Sequence, residues 1–153
     1  MKKITQPFGL ILFAVLLTAA VPLQKHAVWQ LHLGGNHNEG ELTTLSIRAD
    51  IDADWYLYRN DFDKNLGPML TTFLFEENDT YELVGEIKAI APKRKYDDIW
   101  EGEISYFTKQ ARFEQQVRIL KKDFRINVEV KGQVCSDATG KCVLVEERLE
   151  MVR

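Results

Sequence analysis

The chain is poor in cysteine, in proline and in net charge, and each shortage excludes a class of protein. Two cysteines in 153 residues are too few for a disulfide-rich scaffold or for a four-cysteine zinc or iron–sulfur site. Four prolines and nine glycines exclude collagen-like and proline/glycine-rich disordered chains. Twenty basic residues are balanced by 23 acidic ones, and the net charge of -3 argues against a general nucleic-acid-binding protein. The length predicts one domain.

The N-terminal segment has the layout of a secretory signal peptide. Two lysines precede the uncharged apolar run Phe8–Ala20, and Thr18 and Ala20 supply small residues at the -3 and -1 positions of a cleavage after residue 20. Even with three more residues, the run is shorter than the roughly 20 that a membrane-spanning helix needs. We therefore predict an exported protein with a signal peptide in residues 1–20, a mature domain in residues 21–153, and no stable membrane insertion after cleavage.

The mature chain alternates between apolar and polar residues, as β-strands do. In Leu45–Asp52 every odd position is apolar and every even one polar, and Phe124–Lys131 alternates in the same way. Further strands are predicted at Trp29–Leu33, Trp55–Arg59, Met69–Phe75, Glu82–Ile90, Ile104–Thr108, Phe113–Ile119 and Cys142–Val152. Short strands separated by turn signals indicate an all-β protein, an immunoglobulin-like antiparallel β-sandwich, with a small barrel as the alternative.

Two segments with many charges are interpreted as loops. Lys93-Arg94-Lys95 reads as a solvated loop, and Tyr96–Gly102 as a loop that holds the apolar residues Ile99 and Trp100 among charges. Apolar residues in a polar loop either pack on another part of the chain or lie open for a partner.

No motif of hydrolytic, metal-dependent or phosphate-binding chemistry occurs in the sequence. There is no G-x-S-x-G, no H-E-x-x-H and no phosphate-binding glycine loop. His26, His32 and His37 are irregularly spaced, so we expect solvated side chains rather than a metal site. We expect no metal and no cofactor.

The two cysteines form the sharpest chemical feature. Cys135 ends a predicted strand, Ser136–Lys141 is rich in turn residues, and Cys142 begins the last strand. Residues that flank such a hairpin loop can face each other across the strands about 4.5 Å apart, within reach of a disulfide. From the spacing alone, a structural disulfide and a redox-active pair both remain open.

An aromatic strand raises the same question. In Trp55–Arg59, Tyr56 and Tyr58 share one face of the strand, and Trp55 and Leu57 share the other. The tyrosines could belong to a sandwich core, or they could shield a site.

Four features, in this order along the chain, resemble the N-terminal periplasmic domain of the thiol:disulfide interchange protein DsbD family. They are the strand Trp55–Arg59, the loop Asp97–Trp100, the closing strand Phe124–Val134, and the hairpin with Cys135 and Cys142. The resemblance implies an immunoglobulin-like sandwich in the periplasm. In that family the cysteine pair relays electrons from a membrane thiol reductant to thioredoxin-like proteins, and here both would be supplied by other chains.

The resemblance also assigns roles to individual residues. It implies that Cys142 attacks partners and Cys135 resolves the mixed disulfide. Asp98, Ile99 and Trp100, with Asp97 beside them, would form a cap loop over the sulfurs, and Tyr56 and Tyr58 would lie next to them.

Two consequences follow as hypotheses. Carboxylates at Asp97 and Asp98 would raise the pKa of a nearby thiol and slow it, which suits a shielded relay. The alternative function is a non-catalytic secreted β-sandwich that binds a protein or glycan, with Cys135–Cys142 as a structural disulfide. Thiol–disulfide interchange activity is therefore an expectation that the residues alone do not establish.

Overall fold

The computed structural model describes residues 25–35, 37–59, 65, 67–98 and 101–153, and it contains two antiparallel β-sheets that face each other. The signal peptide predicted in residues 1–20 lies outside the described residues. The strands are β1 (Ala27–Leu33), β2 (Leu42–Ile51), β3 (Trp55–Tyr58), β4 (Thr72–Phe75), β5 (Tyr81–Ala89), β6 (Lys93–Asp97), β7 (Gly102–Thr108), β8 (Gln110–Ile119), β9 (Arg125–Ser136) and β10 (Cys142–Val152). Among the described residues, no helix has the length and apolar character needed to cross a membrane.

The sheets have the orders β1-β2-β8-β5 and β10-β9-β3-β7-β6, and β4 pairs with β9 beside β3. This is the predicted all-β immunoglobulin-like sandwich, and the alternative of a small closed barrel is wrong. β10 and β6 are the first and last strands in the order of the second sheet. Each of them therefore has one edge with no paired strand in this order.

Alternation along the strands builds the main core between the sheets. On β2 the odd residues Leu45, Ile47 and Ala49 are fully buried, as the sequence predicts. At the centre, Phe113 of β8 contacts the rings of Phe73 and Phe107, with ring centroids 4.8 and 5.2 Å away. Burial of each large side chain of this kind contributes about 1.5–3 kcal/mol.

The interpretation of residues 93–95 as a solvated loop is wrong, because they begin strand β6. Residues 96–102 are also not one continuous loop, since Asp97 ends β6 and Gly102 begins β7. The strand was missed because no apolar residue alternates along Lys93–Lys95. β6 is an edge strand, and charged residues at such positions discourage pairing with other chains.

Candidate functional site

The two cysteines form a disulfide at the mouth of the β9–β10 hairpin. Cys135 and Cys142 are direct partners in the strand register, with a Cα–Cα distance of 4.0 Å and an S–S distance of 2.05 Å. The predicted juxtaposition of the two cysteines is therefore confirmed. The pairing itself leaves open whether the bond is structural or exchangeable.

A compact turn holds the hairpin closed. The Ser136 amide donates to the Lys141 carbonyl at 2.8 Å, and the Gly140 amide donates to the Ser136 carbonyl at 2.9 Å. Gly140 has φ +68°, a left-handed conformation that glycine adopts without steric cost. The Asp137 amide also donates to the Asp54 carbonyl at 2.8 Å, which ties this turn to the one before β3.

The two sulfur-bearing residues differ sharply in exposure. Cys135 is 0% exposed, whereas Cys142 is an exposed residue at the start of β10. Because Val134 points into the main core, alternation turns Cys135 to the outer face of the sheet. There it forms a second, smaller apolar cluster with Tyr58 and Ile104. A reactant from solution can therefore approach the disulfide from the Cys142 side.

Three tyrosines cover the outer face beside Cys135. Tyr56 of β3 is in register with Cys135 and packs against the smaller cluster. Its ring meets those of Tyr58 and Tyr106 edge to face, with centroids 5.3 and 5.9 Å apart. The hydroxyl oxygens of Tyr56 and Tyr58 lie 3.4 Å apart. The strand register thus brings the two predicted tyrosines to the buried cysteine.

Burial raises the pKa of Tyr58 well above its ordinary value of 10.0. The hydrogen bond with Tyr56 and the negative charge of Asp97 act in the same direction. The phenol is only 3% exposed, and water therefore solvates its anion poorly. Tyr58 consequently remains a neutral hydrogen-bonding group beside the disulfide.

Sequence reasoning missed Lys95, a basic residue of this site. Its ammonium nitrogen lies 5.1 Å from the centroid of the Tyr56 ring and 5.3 Å from that of Tyr106. A cation over aromatic faces at this range is stabilised by the ring quadrupoles. No sequence pattern marks the strand that places it there, because Arg94 between the two lysines is charged as well.

Of the predicted cap residues, Asp97 and Asp98 are described, and they lie where β6 ends. Asp97 is half-buried and pairs with Gly102 across the hairpin, and Asp98 is exposed at the start of the turn. Ile99 and Trp100 lie outside the described residues. The structure therefore brings Tyr56, Tyr58 and Cys135 together, and it places Asp97 close enough to act on the phenol of Tyr58.

One expectation about the histidines is wrong. His26 is only 9% exposed, its ring stacks on Trp55 with centroids 3.6 Å apart, and its Nδ1 lies 2.9 Å from Asp52 Oδ2. His26 immediately precedes β1 and is covered by Trp55 at the start of β3, a contact that the spacing of the histidines could not show. Within the described ranges, no group of three or more His, Cys, Asp or Glu side chains is placed to hold a metal ion.

Comparison with known proteins gives a family match and several structural neighbours. The family described as "Thiol:disulfide interchange protein DsbD, N-terminal" matches residues 19–153. No curated protein sequence matches the chain.

The fold is similar to that of three solved structures at low sequence identity. The reduced DsbD N-terminal domain of Neisseria meningitidis has 13% identity and a TM-score of 0.53 over 82% of this chain and 85% of that one. The N-terminal periplasmic domain of ScsB from Proteus mirabilis has 14% identity and a TM-score of 0.59 over 87% of this chain and 49% of that one.

The third structure is a complex between the DsbD and PilB N-terminal domains of Neisseria meningitidis. It has 13% identity and a TM-score of 0.50 over 80% of each chain. At these identities the three structures establish the fold, and the family match establishes the relationship. The chain belongs to the family of N-terminal domains of the thiol:disulfide interchange protein DsbD.

Proposed function

We propose that this chain is a periplasmic thiol–disulfide exchange domain that passes reducing equivalents to thioredoxin-like partners through Cys135 and Cys142. One observation carries the proposal. In a member of this family, a disulfide joins an exposed cysteine to a fully buried one on a single hairpin. An exposed sulfur can meet a partner, and a buried neighbour can close the bond again after the partner has reacted.

The exchange transfers two electrons and two protons. In the reduced domain, the Cys142 thiolate attacks one sulfur of a partner disulfide, forms a mixed disulfide, and releases the other partner sulfur as a thiolate that takes up a proton. The Cys135 thiolate then attacks the Cys142 sulfur, which restores the Cys135–Cys142 disulfide and releases the second partner thiol. The domain is oxidised and the partner is reduced.

The proposal includes a location and a source of electrons. Residues 1–20 would direct export, residues 21–153 would form the domain, and a membrane thiol reductant would reduce the disulfide again. A solved relative is described as a periplasmic domain, and a DsbD N-terminal domain has been solved in complex with a PilB domain. Both facts concern those proteins, and they support the same setting for this one.

The β6–β7 hairpin would shield the pair between encounters. Asp97 and Asp98 lie at its described end, and Ile99 and Trp100 would complete the cap. Tyr56 and Tyr58 would protect the buried side of the disulfide, because they pack in the cluster that contains Cys135. Such a cap would limit the loss of electrons to stray oxidants.

The assignment of the two cysteines can be tested with single-cysteine variants. The remaining thiol of Cys135→Ala or Cys142→Ala is converted to a thionitrobenzoate mixed disulfide under denaturing conditions, and the protein is then refolded. Each variant is mixed with thioredoxin that lacks its resolving cysteine. We expect Cys135→Ala to form the protein–protein disulfide at least about tenfold faster than Cys142→Ala, because the residue at 135 is buried.

Equal rates for the two variants would contradict the assignment of the attacking cysteine. A wild-type disulfide that reduced thioredoxin does not open would contradict the exchange function itself. That result would favour a secreted β-sandwich with a structural disulfide.

A further inference from the structure

Leu144 is an exposed apolar side chain next to the exchangeable sulfur. It follows Cys142 by two residues on β10, and the two side chains therefore share the outer face of the sheet about 7 Å apart. Leu144 is 69% exposed, the largest value among the exposed large apolar residues of the described chain.

The surroundings of Leu144 have the pattern of a protein interface. Its cross-strand partner is the uncharged Gln133, and the next row of the same face holds Lys131 and Glu146, which form an ion pair of 3.8 Å. Cys142, Leu144 and Gln133 thus form an uncharged patch with a charged pair at its border. Interfaces commonly combine an uncharged centre with a polar rim.

The edge of the sheet beside this patch has no paired strand among the described residues. The Ser136 amide donates to the Lys141 carbonyl, so these two residues form a hydrogen-bonded pair. Hydrogen-bonded and non-hydrogen-bonded pairs alternate along antiparallel strands, so Cys142 and Leu144 both belong to non-hydrogen-bonded pairs. Their backbone N–H and C=O groups are therefore directed away from β9. Within the described part of the chain, no strand pairs with that edge of β10. The opposite side of the disulfide is covered by the tyrosines, so an approaching protein meets Cys142 and Leu144 together.

We propose that Leu144 is the apolar anchor of the surface on which the thioredoxin-like partner docks, an inference that rests on the proposed function. A mixed disulfide brings the partner's surface to bonding distance of Cys142. An interface of about 800 Å² per partner extends roughly 16 Å from its centre. A partner joined at Cys142 therefore covers Leu144 and removes its side chain from water, which stabilises the encounter complex.

A matched pair of variants tests the proposal. Leu144→Glu places a charge in the patch, and Leu74→Glu is the control. Leu74 is 68% exposed on the outer face of the same sheet, and it pairs with Glu129. Glu129 precedes Cys135 by six residues on β9, which places the control about 20 Å from the disulfide. The two variants carry the same substitution at nearly equal exposure. They differ in distance from the disulfide and in the cross-strand partner, which is Gln133 for Leu144 and Glu129 for Leu74.

The measurement is the second-order rate constant for reduction of the oxidised chain by reduced thioredoxin, with dithiothreitol as the small-molecule comparison. We expect Leu144→Glu to lower the thioredoxin rate constant at least tenfold and to change the dithiothreitol rate less than twofold. Leu74→Glu should change both rates less than twofold. Leu144→Ala should lower the thioredoxin rate to an intermediate value, and thermal unfolding should show that every variant is folded.

Two results would overturn the inference. Leu144→Glu with a wild-type thioredoxin rate would show that the partner does not contact this residue. An equal slowing with thioredoxin and dithiothreitol would place the effect on the disulfide rather than on docking. If the wild-type chain itself reacts with dithiothreitol and not with thioredoxin, the proposed function fails before the variants are compared.

Discussion

At the scale of single residues, the site is governed by the unequal environments of its polar groups. Tyr58 is almost fully buried, and its pKa is raised by burial, by Tyr56 and by Asp97. Lys95 lies over the rings of Tyr56 and Tyr106, and it adds a cation to a site for which the sequence-based hypothesis considered only the carboxylates of Asp97 and Asp98. The same short stretch of β6 therefore supplies both a positive and a negative charge near the buried cysteine.

The raised pKa of Tyr58 predicts a loss of stability in alkaline solution. The folded state keeps this phenol protonated while the unfolded state releases its proton above pH 10. The stabilisation is therefore complete below pH 10 and decreases as the pH rises further. We expect the free energy of unfolding to fall between pH 9 and 11, with a contribution from one proton of at most about 1.4 kcal/mol per pH unit. The free energy of unfolding of Tyr58→Phe should fall less steeply with pH than that of the wild type.

Two variants serve as controls for this measurement by urea unfolding. The pKa of Tyr81 is also raised by burial, so Tyr81→Phe should reduce the slope as well. Tyr96 is 62% exposed, and Tyr96→Phe supplies the comparison at an exposed position. A slope in Tyr58→Phe equal to that of the wild type would show that Tyr58 titrates normally.

At the scale of elements, the β6–β7 hairpin is attached to the rest of the sheet through β3. Among the described residues, three register pairs join β3 to β7, namely Tyr56–Thr108, Leu57–Phe107 and Tyr58–Tyr106, and the Arg59 amide donates to the Ser105 carbonyl at 2.9 Å. β6 lies on the far side of β7 from β3, and Lys95 of β6 makes a cation–aromatic contact with the ring of Tyr56 on β3. A short strand pairing supplemented by side-chain contacts suits an element that would move when a partner displaces the cap.

Removal of the Lys95 charge should weaken this attachment. Lys95→Gln should lower the free energy of unfolding by about 0.5–1 kcal/mol and increase the amide hydrogen exchange of β6, because the cation–aromatic contact is lost. Lys95→Arg should retain most of the stability. Arg94 is exposed on the same strand and points to the other face, so Arg94→Gln is the matched control. Equal exchange in Lys95→Gln and Arg94→Gln would contradict the proposed link.

At the scale of the whole molecule, the disulfide lies apart from the main core. The core between the sheets is centred on Phe113 and its aromatic neighbours, whereas Cys135 belongs to the smaller cluster on the outer face. An exchange domain must keep its fold in both redox states, and this separation supplies the physical basis for it.

Reduction of the disulfide should therefore leave the sandwich folded. Opening a loop of this size removes about 2.5 kcal/mol in the chain-entropy estimate, less than the 5–15 kcal/mol of a typical domain. We expect the far-ultraviolet circular dichroism at 25 °C to be unchanged in dithiothreitol, with a lower midpoint of urea unfolding. The variant with both cysteines changed to serine should match the reduced protein. Collapse of the β-sheet spectrum on reduction would instead identify a structural disulfide.

The sequence by itself determined the features that depend on neighbouring residues. Alternation at every second position placed Leu45 and Ile47 in the core, because successive side chains of a strand point to opposite faces. The turn residues after Cys135 placed Cys142 opposite it, because a hairpin loop fixes the register of its strands.

Only the tertiary structure decided the features that depend on the order of strands. β6 carries no apolar alternation, and its charges become meaningful only where β3 and β7 bring the tyrosines to Lys95. The burial of His26 follows from the stacking of its ring on Trp55, a residue 29 positions away. Likewise, each of the two cysteines directly flanks the turn, so the local sequence does not distinguish them. Cys135 is buried because it packs in the outer cluster, whereas Cys142 is exposed. Such contacts join residues distant in the chain, and no local pattern encodes them.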